Sequence, residues 1–327
     1  MKKYHGIIIL SAVFISFCVG WLSRFEQDKN LVQRTTQVRD NTTPYQFIRP
    51  LILVDNSGSN FPQLDPLKTI INSDVSAAEQ SKNASDVSVY YRDMITGAWT
   101  GVNQNDTYAP SSMLKVGVLM SYLKIAETNP DILSEKLTYT PQDDSGQYYK
   151  PKQLPTGEYT VQDLLIQMIQ QSDNDALISL VNAEPQGLID VFSSLSIPYP
   201  SIATSSIFIS PIDYSRIFRT LYNATYLPDI TSEQTLQLLT TTDFNQGLLL
   251  GVTPTTVVAH KFGEQTNTAA NGTVTDRELH DCGIVYYPNH PYFLCVMTKG
   301  QNFPALSKII GNISKSVFDY VSTKYPS

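Results

Sequence analysis

Residues 112–126 read SMLKVGVLMSYLKIA, a stretch that is apolar almost all the way round a helix. A helix with this pattern is buried. Its first turn nevertheless carries Ser112 and Lys115, which lie three residues apart and therefore on one face, within mutual reach. Burial lowers the pKa of a lysine, so Lys115 can accept a proton and activate Ser112 as a nucleophile. The alternative for so short a pattern is a capping serine followed by a surface lysine.

Segments with strand character lie on both sides of this helical region. Asp86–Asp93 alternates, and residues 98–102 return after a turn, which predicts a hairpin. Three later strand candidates and a closing helix are predicted at residues 256–262, 279–287, 292–298 and 305–320. This order predicts an α/β (α+β) fold, in which both chain ends form one antiparallel sheet beside an all-helical lobe. A catalytic cleft is expected between the sheet and the lobe.

The middle of the chain is predicted to be helical over residues 113–126 and 161–181. Thr160 with Asp163 three residues later is a capping-box pattern at the start of the second region. Ser172-Asp173-Asn174 lies between two apolar stretches of that region, and alternate spacing can direct Ser172 and Asn174 toward a cleft. Ser, Asp and Asn also favour helix caps, so an ordinary break between helices is the alternative.

A third motif, Lys261-Phe262-Gly263, ends the first of the late strands. A lysine on an inner strand offers a fixed cation for a substrate carboxylate. The glycine would let a substrate backbone approach the strand closely. Taken alone, the motif carries little information.

The order of the three motifs is far more specific than any one of them. Ser-x-x-Lys on a buried helix, then Ser-Asp-Asn between helices, then Lys-x-Gly on a late strand resembles the penicillin-recognising serine enzymes, especially the class A β-lactamases. The resemblance covers residues 65–327 and implies a β-lactamase/transpeptidase-like fold. It also implies a serine hydrolase in which Ser112 attacks a carbonyl, Lys115 helps to take its proton, and Ser172 passes a proton to the leaving nitrogen.

The resemblance also assigns the residues that would bind substrate. Lys261 would hold a substrate carboxylate and support Ser172, while Asn174 would hydrogen-bond an amide side chain of the substrate. Gly263 would line the strand beside the substrate. The oxyanion hole would be the backbone N–H groups of Ser112 and Glu264.

One departure from the family concerns the removal of the acyl group. Class A β-lactamases carry a Glu-x-x-x-Asn loop whose glutamate aims the hydrolytic water, and no glutamate lies between Glu184 and Glu233 here. Only Asp190, Asp213 and Asp229 offer carboxylates in that interval. The stretch SPIDYSRIFRTLYNATYL, which begins at residue 210, resembles the family's next helix. It begins earlier in the chain than the family pattern predicts, so the loop before it is shortened or rebuilt. Deacylation is therefore expected to be roughly 10²–10⁴-fold slower than with a positioned general base.

A second departure is Phe262, where the family usually has a hydroxyl residue. Its ring points either into the cleft or into the core, and the sequence does not decide between these. Both a β-lactam and the D-Ala-D-Ala end of a peptidoglycan stem peptide remain candidate substrates. The alternative is a catalytically silent module that binds cell-wall peptide or another protein.

Composition excludes some partners. The formal charge of -7, from 23 basic and 30 acidic residues, leaves no basic field for nucleic acid. No cofactor is expected, and no metal site either, because the four histidines show no ligand spacing. His260 is expected to pack beside its strand.

The N-terminus predicts membrane attachment. Lys2 and Lys3 precede an uncharged apolar run at 6–22, GIIILSAVFISFCVGWL, without an Ala-x-Ala cleavage site. We therefore expect residues 1–24 to form an uncleaved single-pass anchor with the domain outside the cytoplasm; cleavage would make the protein secreted. Residues 25–64 are expected to be a spacer, partly docked through 45–54.

Cys282 and Cys295 flank a predicted hairpin whose turn contains Pro288 and Pro291. In an oxidising compartment they can form a cross-strand disulfide. Two free buried cysteines are equally compatible with the sequence, because diagonal hairpin positions often miss bridging distance.

Overall fold

The computed structural model describes residues 36–39, 44–55, 61–142, 147–198 and 207–326. The predicted anchor at 1–24 lies outside these residues. No helix in the described ranges is long and apolar enough to cross a membrane.

The described elements follow one another along the chain. The strands are β1 (Thr36–Arg39), β2 (Leu51–Asp55), β3 (Asp86–Asp93), β4 (Trp99–Val102), β5 (Lys136–Tyr139), β6 (Gly157–Thr160), β7 (Val258–Thr268), β8 (Val274–Val285) and β9 (Tyr292–Gly300). The helices are α1 (Asp65–Gln80), α2 (Leu114–Ala126), α3 (Val161–Gln170), α4 (Asn174–Ala183), α5 (Gly187–Ser194), α6 (Pro211–Tyr222), α7 (Asp229–Leu239) and α8 (Phe303–Lys324).

The main sheet has five antiparallel strands in the order β4-β3-β9-β8-β7. Both chain ends contribute strands, as predicted, and the early hairpin is confirmed. The late strands run further than predicted, because the polar stretches 263–268 and 274–278 continue the β7–β8 ladder beyond the apolar residues. β7 is an edge strand of this sheet and packs at Gly263 against the turn that precedes α2.

The two faces of the sheet bury two separate cores. Alternation along β3 shows the division, since Tyr90 faces one core and Val89 and Tyr91 face the other. The first core joins the sheet to the helical lobe through residues that include Met113, Met120, Phe218, Cys282 and Phe293. The second lies under α1 and α8 and includes Ile71, Val75, Leu294, Ile310 and Val317.

The lobe was predicted to be all helical, but β5 and β6 pair there as a small antiparallel sheet. The helical region 161–181 divides at the Ser-Asp-Asn motif, as predicted, because Ser172 adopts φ +53° and Asp173 caps the start of α4. The break between the helices places the Ser-Asp-Asn motif in a turn.

The segment before α1 packs on the domain through its apolar residues. Phe47 and Ile48 are buried in the first core. The Glu233 carboxylate of α7 accepts the backbone N–H groups of residues 46, 47 and 48 at 2.7, 2.7 and 3.0 Å. These bonds hold the segment against the helical lobe.

Cys282 and Cys295 form a disulfide. They are directly opposite each other on β8 and β9, with a Cα–Cα distance of 4.0 Å, rather than diagonal. Because the register of the β8–β9 hairpin places the two cysteines opposite each other, they form a disulfide rather than remaining free.

Candidate active site

A 3₁₀ turn at Ser111–Met113 leads into α2 and carries Ser112. Ser112 is partly exposed, whereas Lys115 is fully buried. Lys115 Nζ donates to Ser112 Oγ at 2.7 Å. The two residues therefore make the direct contact that the three-residue spacing predicted.

Lys115 also joins the nucleophile turn to the Ser-Asp-Asn turn. Its Nζ donates to the backbone oxygen of Ser172 at 2.7 Å and to Asn174 Oδ1 at 2.6 Å, and lies 3.3 Å from Ser172 Oγ. A buried ammonium group needs such partners, because desolvation without them is costly. The structure thus brings Ser112, Lys115, Ser172 and Asn174 together.

The left-handed conformation of Ser172 is held by the residue that follows it. Asp173 is fully buried, and its Oδ1 accepts the N–H groups of Asp175 and Ala176 at 2.9 and 3.0 Å. Its Oδ2 accepts the Tyr139 hydroxyl and the Gln167 amide, each at 2.8 Å. A positive φ is unfavourable for serine, so these four bonds fix a strained turn.

Lys261 reaches the same cluster from β7. Its Nζ donates to Ser172 Oγ at 2.9 Å and to the Phe262 carbonyl at 3.1 Å. Burial holds the pKa of Lys261 well below its ordinary value, and the positive charge of Lys115 lowers it further. Ser172 Oγ therefore lies between two buried lysines, where a proton can pass.

Gly263 lies in close contact with the nucleophile turn. A Cβ at this position would lie 2.4 Å from the Pro110 carbonyl oxygen and 3.0 Å from Met113 Cγ. The glycine is required because β7 packs directly against the nucleophile turn. Glu264, whose backbone N–H is expected in the oxyanion hole, follows Gly263 on β7.

Phe262 points into the second core. It is buried, with its ring stacked on Phe244 at 3.9 Å between centroids and edge-on to Tyr149 at 5.2 Å. The ring centroid is 4.1 Å from Lys261 Nζ. An aromatic face at this distance favours a cation.

Residues 148–152 form a strap that links β7 to the helical lobe, and sequence reasoning missed it. On the sheet side, the Glu264 carboxylate accepts the N–H groups of Tyr148 and Tyr149 at 3.1 and 3.2 Å. On the lobe side, Gln171 Oε1 accepts the N–H of Lys152 at 3.2 Å, and Gln167 Nε2 donates to its carbonyl at 2.7 Å. The sequence feature that indicates the strap is the pair Tyr148-Tyr149 within a polar loop.

Other residues support the nucleophile turn from beneath. The Tyr214 hydroxyl donates to the Met113 carbonyl at 3.0 Å. The Glu278 carboxylate accepts the N–H of Ala109 at 3.0 Å, and His280 Nε2 lies 3.2 Å from the Ala109 carbonyl. These residues were not singled out from sequence because none belongs to a short motif.

The three aspartates that could replace the missing glutamate have other contacts. Asp213 accepts the Ser210 hydroxyl at the start of α6 and pairs with Arg216. Asp190 accepts the Gln186 amide, and Asp229 begins α7. In the described part of the chain, none of the three hydrogen-bonds Ser112.

The histidine ring that was expected to pack beside its strand does so. His260 is buried, and its Nδ1 lies 2.8 Å from Asp281 Oδ1. Within the described ranges, no group of three or more His, Cys, Asp or Glu residues is arranged to hold a metal ion.

The fold and this cluster together define the β-lactamase-like class of serine enzymes. The sequence pattern of the β-lactamase enzyme family matches residues 67–321, and the chain belongs to that family. No match was found among curated proteins.

Solved structures show the same fold. The structure of PBP-A aligns with a TM-score of 0.66 at 20% identity, covering 79% of this chain and 97% of that one. The TLA-3 extended-spectrum β-lactamase aligns at 0.65 and 20% identity, covering 77% and 98%. A β-lactamase from Chitinophaga pinensis aligns at 0.64 and 17% identity, covering 77% and 99%.

Proposed function

We propose that the protein is a membrane-anchored, extracytoplasmic serine hydrolase that forms an acyl-enzyme on Ser112 with β-lactams or with D-Ala-D-Ala peptides. The observation that carries the proposal is the continuous set of contacts from Ser112 through Lys115 and Ser172 to Lys261. A catalytically silent module has no need to bury two lysines around one serine hydroxyl, because burying each lysine is costly.

The proposed acylation proceeds in two steps. Lys115 accepts the proton of Ser112 as Oγ attacks the carbonyl, and the backbone N–H groups of Ser112 and Glu264 stabilise the oxyanion. Ser172 then donates its proton to the leaving nitrogen and regains one from the lysines, so the C–N bond breaks and the acyl group remains on Ser112. Asn174 would hydrogen-bond the amide side chain of the substrate.

Deacylation is proposed to be slow. Asp190 and Asp213 accept hydrogen bonds from Gln186 and Ser210, and Asp229 begins α7. The interval between Glu184 and Glu233 also lacks the Glu-x-x-x-Asn pattern. A water that lacks a positioned general base reacts roughly 10²–10⁴-fold more slowly. Supporting the proposal, a mutant of PBP-A, which shares this fold, has been solved as an acyl-enzyme complex with penicillin G.

Two features support the proposed location of the domain outside the cytoplasm. The apolar run at 6–22 follows Lys2 and Lys3, which favours an anchor with its N-terminus inside. The disulfide between Cys282 and Cys295 is typical of an oxidising compartment.

The lifetime of the adduct tests the proposed function. The full chain is mixed with a labelled penicillin, and the labelled fraction is followed by intact mass spectrometry after excess drug is removed. We expect an adduct that persists for many minutes. Rapid ring opening without an adduct would contradict slow deacylation, and neither adduct nor hydrolysis with penicillin or a D-Ala-D-Ala peptide would overturn the enzyme assignment.

A further inference from the structure

Two arginines meet where α6 packs on the sheet. Arg92 follows Tyr90 by two residues on β3, so both side chains face the helical lobe. Arg219 is on the last turn of α6, next to Phe218, whose ring lies 5.4 Å from that of Phe293. Phe293 is directly opposite Arg92 in the register of β3 and β9. The contact between the two phenylalanines therefore brings the arginines of the helix and of the strand close together.

A third arginine, Arg39 of β1, reaches the same region. Its Nε donates to the Ile95 carbonyl, just after β3, at 3.1 Å, and its Nη1 donates to Asn223 Oδ1, just after α6, at 2.7 Å. Its guanidinium carbon lies 5.3 Å from the centroid of the Tyr222 ring. These contacts hold the third guanidinium group between the end of the strand and the end of the helix.

The first two arginines lack an acidic partner among the described residues. Neither Arg92 nor Arg219 forms an ion pair there, whereas Arg216 on the same helix pairs with Asp213 at 3.0 Å. Arg92 Nη1 lies 3.5 Å from the Tyr90 hydroxyl, and Arg219 Nε is buried without a described hydrogen-bond partner. A buried donor without an acceptor is costly, so this place favours an additional acceptor.

The positive charges of the three arginines act on one another. Burial lowers the pKa of Arg219 and that of Arg39 to about 10, and the charge of Arg92 lowers both as well. Asp93 acts on Arg39 in the opposite direction, but its Oδ1 accepts two N–H groups of the turn that follows β3. All three guanidinium groups stay protonated at neutral pH. An anion bound among them would offset their mutual repulsion.

A cavity of about 480 Å³ lies beside the arginines. Ile95 and Arg49 line it, and the carbonyl groups of both accept hydrogen bonds from Arg39. Tyr222 also lines it, and the hydroxyl of this tyrosine is buried without a hydrogen-bond partner among the described residues. A ligand held by its anionic group therefore has space for further polar atoms next to the arginines.

We propose that Arg39, Arg92 and Arg219 form a binding site for a phosphate group, carried either by a lipid headgroup or by a soluble phosphate. Guanidinium groups match phosphate oxygens in pairs, and several of them together favour a group with more than one charge. A lipid phosphate is within reach, because the fifteen residues from 25 to 39 that follow the proposed anchor span at most about 50 Å. The site is separate from the acylation of Ser112 and does not depend on it.

Calorimetric titration of the full chain in an uncharged detergent tests the site. The probes are inorganic phosphate and glycerophosphoglycerol, the soluble headgroup of phosphatidylglycerol, with acetate as the control at equal ionic strength. We expect the wild-type chain to bind at least one phosphate probe with a Kd of about 1 mM or below. Acetate should bind about tenfold or more weakly. The probe that binds more tightly identifies the source of the phosphate.

Substitutions locate the binding. Arg92→Gln and Arg219→Gln should each raise the Kd of the phosphate probe about tenfold or more, because each removes a charged donor. The matched control is Arg277→Gln, which alters a half-buried arginine at the other end of the sheet, where it donates to the Gln301 carbonyl at 2.7 Å. This control should keep the wild-type Kd. Acylation of Ser112 by penicillin should stay within about twofold of wild type in all three variants, which also shows that they are folded.

The outcomes separate this site from the proposed function. If the wild-type chain binds neither phosphate probe, or if both arginine variants bind as tightly as wild type, the site is wrong and the acylation of Ser112 stands. Acetate bound as tightly as phosphate would overturn the assignment to phosphate. Phosphate binding without any acylation of Ser112 would contradict the proposed function and leave the site in place.

Discussion

Lys115 Nζ lies 2.7 Å from Ser112 Oγ, and the lysine is buried whereas the serine is partly exposed. The serine can therefore be reached from solvent, while its proton acceptor lies in the protein interior. The following substitutions test what each part of the surrounding structure contributes.

Replacing Lys115 with methionine removes the proton acceptor and keeps an apolar stem of similar length. We expect acylation of Ser112 by penicillin to slow by about 10²–10⁴-fold, the usual contribution of a positioned base. The control is Lys124→Met, which alters an exposed lysine of the same helix that pairs with Glu127. A Lys115→Met rate within about threefold of wild type would show that another group takes the proton.

Asp173→Ala removes the four bonds that hold the Ser172 turn. Two are cap bonds to α4, and two come from Tyr139 and Gln167, so we expect a loss of about 2–4 kcal/mol in the free energy of unfolding. Urea denaturation measures this loss. Asp163→Ala, which removes the exposed carboxylate that accepts the hydroxyl of the cap residue Thr160 at the start of α3, should cost about 1 kcal/mol or less. Equal effects of the two substitutions would contradict the role assigned to Asp173.

Glu233→Ala should release the segment that precedes α1. Its carboxylate accepts three consecutive backbone N–H groups, and leaving them without this acceptor should cost about 1–3 kcal/mol. Hydrogen exchange at residues 46–48 should become faster while exchange in β8 stays slow. Unchanged protection at 46–48 would mean that Phe47 and Ile48 hold the segment by packing alone.

The pH dependence of stability reports on Glu264. Burial raises the pKa of Glu264 above its ordinary value of 4.5, so the folded state holds this proton more tightly than the unfolded state does. Stability linked to this group is therefore present at low pH and lost as pH rises through the raised pKa. Comparing wild type with Glu264→Gln by chemical denaturation from about pH 4 to about pH 8, we expect the variant to gain relative stability as pH rises. A difference that is constant over this range would show that the pKa is not raised.

Much of the fold was predictable because it depends on local patterns. Alternation predicted β3, the later strand candidates predicted β8 and β9, and the apolar run after Ser112 predicted the buried helix. The break at Ser172 was predicted only as a motif between apolar stretches, since its left-handed conformation depends on Asp173 and on Tyr139 from a distant strand. The β5–β6 pair was missed because its strands are short and Tyr139 is their only buried residue, so they carry little apolar pattern.

At the site, the reactive residues were predictable and their surroundings were not. Ser112 and Lys115 contact each other because three residues separate them on a helix, a purely local relationship. The reason for Gly263 depends on where β7 packs, and the direction of Phe262 depends on Phe244 and Tyr149, which lie far away in sequence. The strap on Glu264 likewise joins residues more than a hundred positions apart.

The most direct test of the central claim is the mass of the full chain after exposure to labelled penicillin, compared between wild type, Ser112→Ala and Ser111→Ala. Ser111 is the neighbouring hydroxyl, which donates to Gln265 and has no contact with the lysines among the described bonds. We predict one stable adduct in wild type and in Ser111→Ala, and none in folded Ser112→Ala. An adduct that persists in Ser112→Ala would contradict the assignment of Ser112 as the nucleophile.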